Sequence, residues 1–101
     1  MKSFADRLRE DRRLVMLRLL SEQRGYTLNS SNVHAGVDYL GIQCTRAEVL
    51  ADLRFLGDNG LVTLEPLADI EGLYKVTLTR AGREVAQGQQ EVAGVSTPAP
   101  R

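Results

Sequence analysis

Apolar residues recur along this chain with two periods, and the change from one to the other falls at Asn59-Gly60. Upstream, Val49, Leu53 and Leu56 fall on one face at helical spacing. The Thr45 hydroxyl can cap the first turn, and Glu48 three residues on completes a capping-box pattern. Asn59-Gly60 tolerates the positive φ that ends helices. Downstream, Leu61-Val62-Thr63-Leu64-Glu65 and Leu73-Tyr74-Lys75-Val76-Thr77-Leu78 alternate apolar and polar residues, which predicts two strands joined by residues 66–72 as a hairpin. Thr79 then caps a last helix over Arg80 to Gln87.

Residues 4–24 predict a first helix, with Phe4, Leu8, Val15 and Leu19 on one face. From Leu14 to Leu20 only Arg18 is polar, the mark of a central helix. Phe4 and Leu8 are the only large apolar residues of the earlier turns. They either project on an arm that meets a partner helix, such as a second copy of the chain, or tuck onto the domain. Gly25 stops this helix, and Tyr26 to Asn29 form a short extended piece. Ser30 or Ser31 caps a second helix over Asn32 to Leu40, with Val33, Val37 and Leu40 inward and His34 and Asp38 toward solvent. Two helices joined by a glycine-containing turn make a helix-turn-helix pattern. The fold class is therefore mainly α with a small β-hairpin (α+β), in one domain over residues 1–88. Residues 89–101 are rich in Gln, Gly, Ser, Thr and Pro without periodicity, which predicts a disordered tail.

The order of elements over about residues 8–88 is similar to that of the winged helix-turn-helix domain. Thr45, Val49, Leu53, Leu56 and Gly60-Leu61-Val62 resemble the recognition helix and following strand of ArsR- and MarR-like bacterial regulators. Leu78-Thr79-Arg80-Ala81-Gly82 is similar to the entry of the helix after the wing in many of them. Asp11-Arg12-Arg13-Leu14, Leu28-Asn29-Ser30-Ser31 and the Gly60–Glu65 run resemble small winged-helix proteins of Mu-like phages and prophages. The resemblance implies a phage-type transcriptional regulator that places the Thr45 helix in the major groove of double-stranded DNA and the wing on phosphate. Thr45, Arg46 and Arg54 are its candidate DNA contacts, with Arg12 and Arg13 as phosphate contacts on a basic arm.

Charge complicates that expectation. Net charge is zero, but basic residues gather before Gly25, whereas residues 25–72 carry only Arg46 and Arg54 against Asp38, Glu48, Asp52, Asp58, Glu65, Asp69 and Glu71. Leu50, Ala51 and Asp52 stand where ArsR-like proteins typically present serine, arginine or glutamine, and histidine. None of the three donates to a base edge, and a carboxylate at Asp52 repels phosphate. The alternative expectation is a winged helix that binds protein, with Leu50, Ala51 and Phe55 as the contact and the acidic wing facing a basic partner. A homodimer, through the first helix with Phe4 and Leu8 or through the tail-proximal helix, fits either reading.

Other chemistry is sparse. Cys44 is the single cysteine, so no internal disulfide is possible, and its place at a helix entrance suggests either a lowered thiol pKa or a small core filler. His34, Asp38 and Cys44 do not make a metal-ligand set. No enzyme activity, metal or cofactor is expected. No run approaches the ~18 apolar residues of a membrane span, and no signal-peptide stretch follows Lys2. A cytoplasmic setting in a bacterial host is the expectation.

Overall fold

The computed structural model describes residues 1–98. Four helices, α1 (Phe4–Ser21), α2 (Ser30–Tyr39), α3 (Arg46–Asp58) and α4 (Arg80–Ala86), surround a three-stranded sheet of β1 (Thr27–Asn29), β2 (Val62–Pro66) and β3 (Tyr74–Leu78). The fold is α+β. The hairpin β2–β3 is the expected one, and the extended piece after Gly25 joins it as β1, giving the antiparallel order β1-β3-β2. Leu28 pairs with Val76, and Val62 with Leu78.

Caps set most of the boundaries. Thr45 and Glu48 form both halves of a capping box on α3, and Ser3 and Asp6 do the same on α1. The first helix ends at Ser21, three residues earlier than its apolar pattern predicts, because a 3-10 turn over Arg24–Tyr26 puts Gly25 and Tyr26 at positive φ. The second helix starts at Ser30, and its cap is Asn29 rather than a serine. Thr79 caps α4 as expected, and its hydroxyl donates to the Gly60 carbonyl. At Gly82 a Cβ would collide with the Leu61 carbonyl. The spacing of Leu78, Thr79 and Gly82 therefore reflects α4 seated directly on the start of the hairpin.

The core is one cluster, drawn from Leu14, Met16, Leu17 and Leu20 of α1, Val33 and Val37 of α2, Val49, Leu53 and Leu56 of α3, and the inward residues of the hairpin and α4. Leu40, expected inward, is exposed because the helix ends one residue before it. The expectation of an unstructured tail is corrected over residues 89–98. This segment turns back along α1 with Val95 buried and the Ser96 amide donating to the Glu10 carbonyl at 3.2 Å. The rest of that expectation, residues 99–101, lies outside the described residues. No helix among the described residues is long and apolar enough to cross a membrane.

Candidate nucleic-acid interface

The outward face of α3 follows from which of its residues are inward. Val49, Asp52, Leu53 and Leu56 are buried, so Ala47, Ala51, Arg54 and Asp58 point away from the core and are exposed. Leu50 on the flank is half-buried. At the entrance, the Thr45 amide donates to the Glu48 carboxylate at 2.8 Å and the Glu48 amide to the Thr45 hydroxyl at 3.0 Å. The Thr45 amide and hydroxyl hold the Glu48 carboxyl below its ordinary range.

Asp52 is the largest departure from the sequence expectation. It is 1% exposed and accepts from Arg12 Nε at 2.5 Å and Arg13 Nε at 3.0 Å. Arg12 and Arg13 were expected on phosphates, but both guanidinium groups are turned into the protein to meet this carboxylate. Arg12 also lies 3.9 Å from Glu48 Oε2. Arg13 Nη1 donates to the Gly94 carbonyl at 3.0 Å, and its guanidinium stacks 3.8 Å above the Phe55 ring. Phe55 is thereby half-buried: Arg13 covers one side, and Gly94 packs so closely that a Cβ there would strike the ring. This corrects the expectation of Phe55 as a free protein contact. Of the alternative set, Ala51 is exposed and Leu50 half-buried.

Arg46 and Arg54 remain outward. Neither forms a salt bridge among the described residues. Arg46 Nη2 donates to the carbonyl of Gly72 in the hairpin loop at 3.3 Å. The Ser30 hydroxyl accepts from the Tyr74 amide at 3.0 Å. These two bonds tie α2, α3 and the hairpin together around a small cavity of about 210 Å³ that Ser30, Ser31, His34, Arg46, Val49 and Leu50 line. The hairpin itself is acidic. Lys75 lies 3.9 Å from Glu65, Asp69 and Glu71 are exposed, and Ile70 at the tip is 56% exposed.

His34, expected toward solvent, is half-buried and donates from Nε2 to the Cys44 carbonyl at 2.9 Å, which requires the proton on that nitrogen. Burial pushes the Cys44 thiol up despite the nearby Arg12, so the core-filler reading replaces that of a lowered pKa. Among the described residues no three His, Cys, Asp or Glu side chains gather as a metal site. Phe4 and Leu8 are exposed on the first turns of α1. The residues missed at the sequence level are Asp52 as an internal anchor and Gly94-Val95 as its cover. The one available signal for the latter was Val92 and Val95, three apart in an otherwise polar stretch.

The molecule is thus a small α+β protein whose helix pair and hairpin are locked around α3. No protein-family model matches the chain, and no solved structure matches it. It is 41% identical over 96 residues to protein gp26 of Escherichia phage Mu, spanning 95% of this chain and 96% of the phage protein. A protein of Haemophilus influenzae is 42% identical over 67 residues, 66% of this chain and 65% of that protein. Both relatives carry the description "uncharacterized". The chain belongs to the family of phage Mu gp26.

Proposed function

We propose that the protein is a winged helix-turn-helix DNA-binding regulator of phage or prophage type, acting in the cytoplasm of the bacterial host. The observation that carries this reading is the burial of Asp52 against Arg12 and Arg13. The carboxylate that would have repelled phosphate is neutralised inside the protein. What faces outward along α3 is then Arg46, Ala47, Ala51 and Arg54, with the acids Glu48 and Asp58 exposed toward its two ends. Arg54 is free to meet phosphates or a guanine edge, Arg46 keeps donors beyond the Nη2 that bonds the Gly72 carbonyl, and the two alanines let the helix approach a groove floor closely. The Thr45 hydroxyl stands beside them at the helix entrance. The bonds from Arg46 to Gly72 and from Tyr74 to Ser30 hold helix and hairpin as one body, as a recognition helix and wing must be.

Fluorescence anisotropy with labelled duplexes, including the protein's own genomic locus, tests this. Affinity falls steeply with salt, and Arg46→Ala or Arg54→Ala each lowers the slope of log K against log salt by about one. Absence of binding to every duplex at low salt overturns the reading. The acidic hairpin with its exposed Ile70 favours the second reading, a winged-helix module whose partner is a basic protein surface.

A further inference from the structure

The segment that follows α4 is a loop whose two ends meet. Gly88 turns the chain at φ +79°, and a Cβ placed there would touch the Pro98 ring at 3.6 Å. Compact surface loops closed in this way pack as small units on the body beneath them and often carry function. Within this one, the Val95 amide donates to the Val92 carbonyl at 3.1 Å, and Gly94 at φ +91° is the third residue of the turn so formed. Positive φ at that position asks for glycine on backbone grounds alone.

Helices α1 and α3 hold this strap as they would hold a bound peptide. Arg13 Nη1 donates to the Gly94 carbonyl at 3.0 Å, the Ser96 amide donates to the Glu10 carbonyl at 3.2 Å, and the Ser96 hydroxyl donates to Asp11 Oδ1. Val95 enters the core cluster. Gly94 has no room for a side chain, because a Cβ would lie 2.5 Å from the edge of the Phe55 ring. Gly94, Val95 and Ser96 are thus specified in turn by space, burial and hydrogen bonding, whereas Glu91, Ala93 and Thr97 are exposed.

The groove is wider than the strap. A cleft of about 780 Å³ stays open between the strap and the first turns of α1, with Arg7, Glu10, Asp11 and Ala93 in its lining. Glu10 is paired with Lys2 at 2.7 Å and Asp11 accepts from Ser96, but Arg7 has no salt bridge among the described residues. The strap sets only a methyl group, that of Ala93, toward a cleft that offers a cation.

We propose that the groove between α1 and α3 is a docking site for a turn segment of a partner protein, of the pattern valine-acid-glycine-valine-serine, and that the strap fills it in cis until such a segment displaces it. The acid stands where the strap has Ala93 and meets Arg7. The strap of a second copy has no such advantage. It brings only the contacts that the resident strap already makes, and the resident strap is tethered directly after α4 at a far higher effective concentration. A displacing segment needs an added contact, and Arg7 supplies it.

Fluorescence anisotropy on the full chain, with labelled peptides copying residues 89–98, tests the proposal. The probes are the copy itself and copies carrying Ala93→Glu or Gly94→Ala. In the chain, Val95→Ser or Gly94→Ala loosens the strap; circular dichroism melts and hydrogen exchange along α1 establish that each variant is folded with its strap released. The copy binds a released chain at least about tenfold more tightly than it binds the wild type, because the groove is no longer filled. The Ala93→Glu peptide gains a further factor of about three to five, that gain disappears when Arg7→Glu is added to the chain, and the Gly94→Ala peptide loses binding. The proposal is overturned by a strap that neither substitution releases, a released chain that takes up the copy no better than the wild type, or a Gly94→Ala peptide as tight as the copy. An Ala93→Glu gain that is absent, or that survives Arg7→Glu, also overturns it. So does a wild-type dimer in sedimentation that Val95→Ser dissolves, since the straps would then be traded between copies.

Discussion

Asp52 shows how one side chain can hold three parts of a chain. Its carboxylate joins Arg12 and Arg13 of α1 to α3, and Arg13 carries the connection on to Phe55 and the Gly94 carbonyl. Removing it leaves the half-buried Arg13 guanidinium without a salt-bridge partner among the described residues and the buried Arg12 with only Glu48 Oε2 at 3.9 Å. Breaking a buried ion pair from one side typically costs about 3–5 kcal/mol. Asp52→Ala should lose stability of that order in urea unfolding, while Asp52→Asn, which keeps one acceptor oxygen, should lose less. An Asp52→Ala protein as stable as wild type would show that the cluster contributes nothing net. The inward turn of Asp52 was not legible in the sequence, where the resemblance to ArsR-like proteins set it among the base-reading positions with its carboxylate against phosphate. Its partners lie 39 and 40 residues away, and no local pattern joins residues at that separation.

At the scale of elements the sequence was far more legible, because caps and periodicity are local. Thr45 with Glu48, Thr79 before α4, and the alternation in the hairpin all specify their own neighbourhoods. Two of the misplaced ends, Ser21 and Ser30, fall where a 3-10 turn and an asparagine cap compete with equally plausible local signals. The caps also make a pH prediction. Amides of Ser3 and Thr45 depress the carboxyls of Asp6 and Glu48 in the folded chain. Depressed carboxyls stabilise the folded state above their unfolded pKa, and that contribution disappears as pH falls through the lower folded value. The first turns of α1 and α3 should therefore loosen below the ordinary carboxylate range and hold at neutral pH. NMR titration of the Asp6 and Glu48 carboxyls, with amide exchange at Ser3 and Thr45, checks it; midpoints at or above ordinary values would remove the claim.

For the molecule as a whole, the strap over residues 89–98 decides what α1 and α3 present. Only Val95 within it is fully buried, beside partly buried Val92, so its hold rests on few groups. Val95→Ser should cost about 1.5–3 kcal/mol and speed hydrogen exchange along the middle of α1; unchanged exchange there would mean the strap holds without that side chain. Composition hid this segment because glutamine, glycine and serine carry little apolar signal, and the surface that receives it exists only once α1 and α3 have assembled. The strap also bears on the order in which the protein is made. Arg13 and Gly94 are 81 residues apart. At ribosomal rates of about 5–20 residues per second, several seconds pass between synthesis of the guanidinium and of the carbonyl that receives it. A nascent chain therefore carries an open Arg13–Phe55 face until the strap emerges, and the N-terminal helix cannot reach its final surroundings before then.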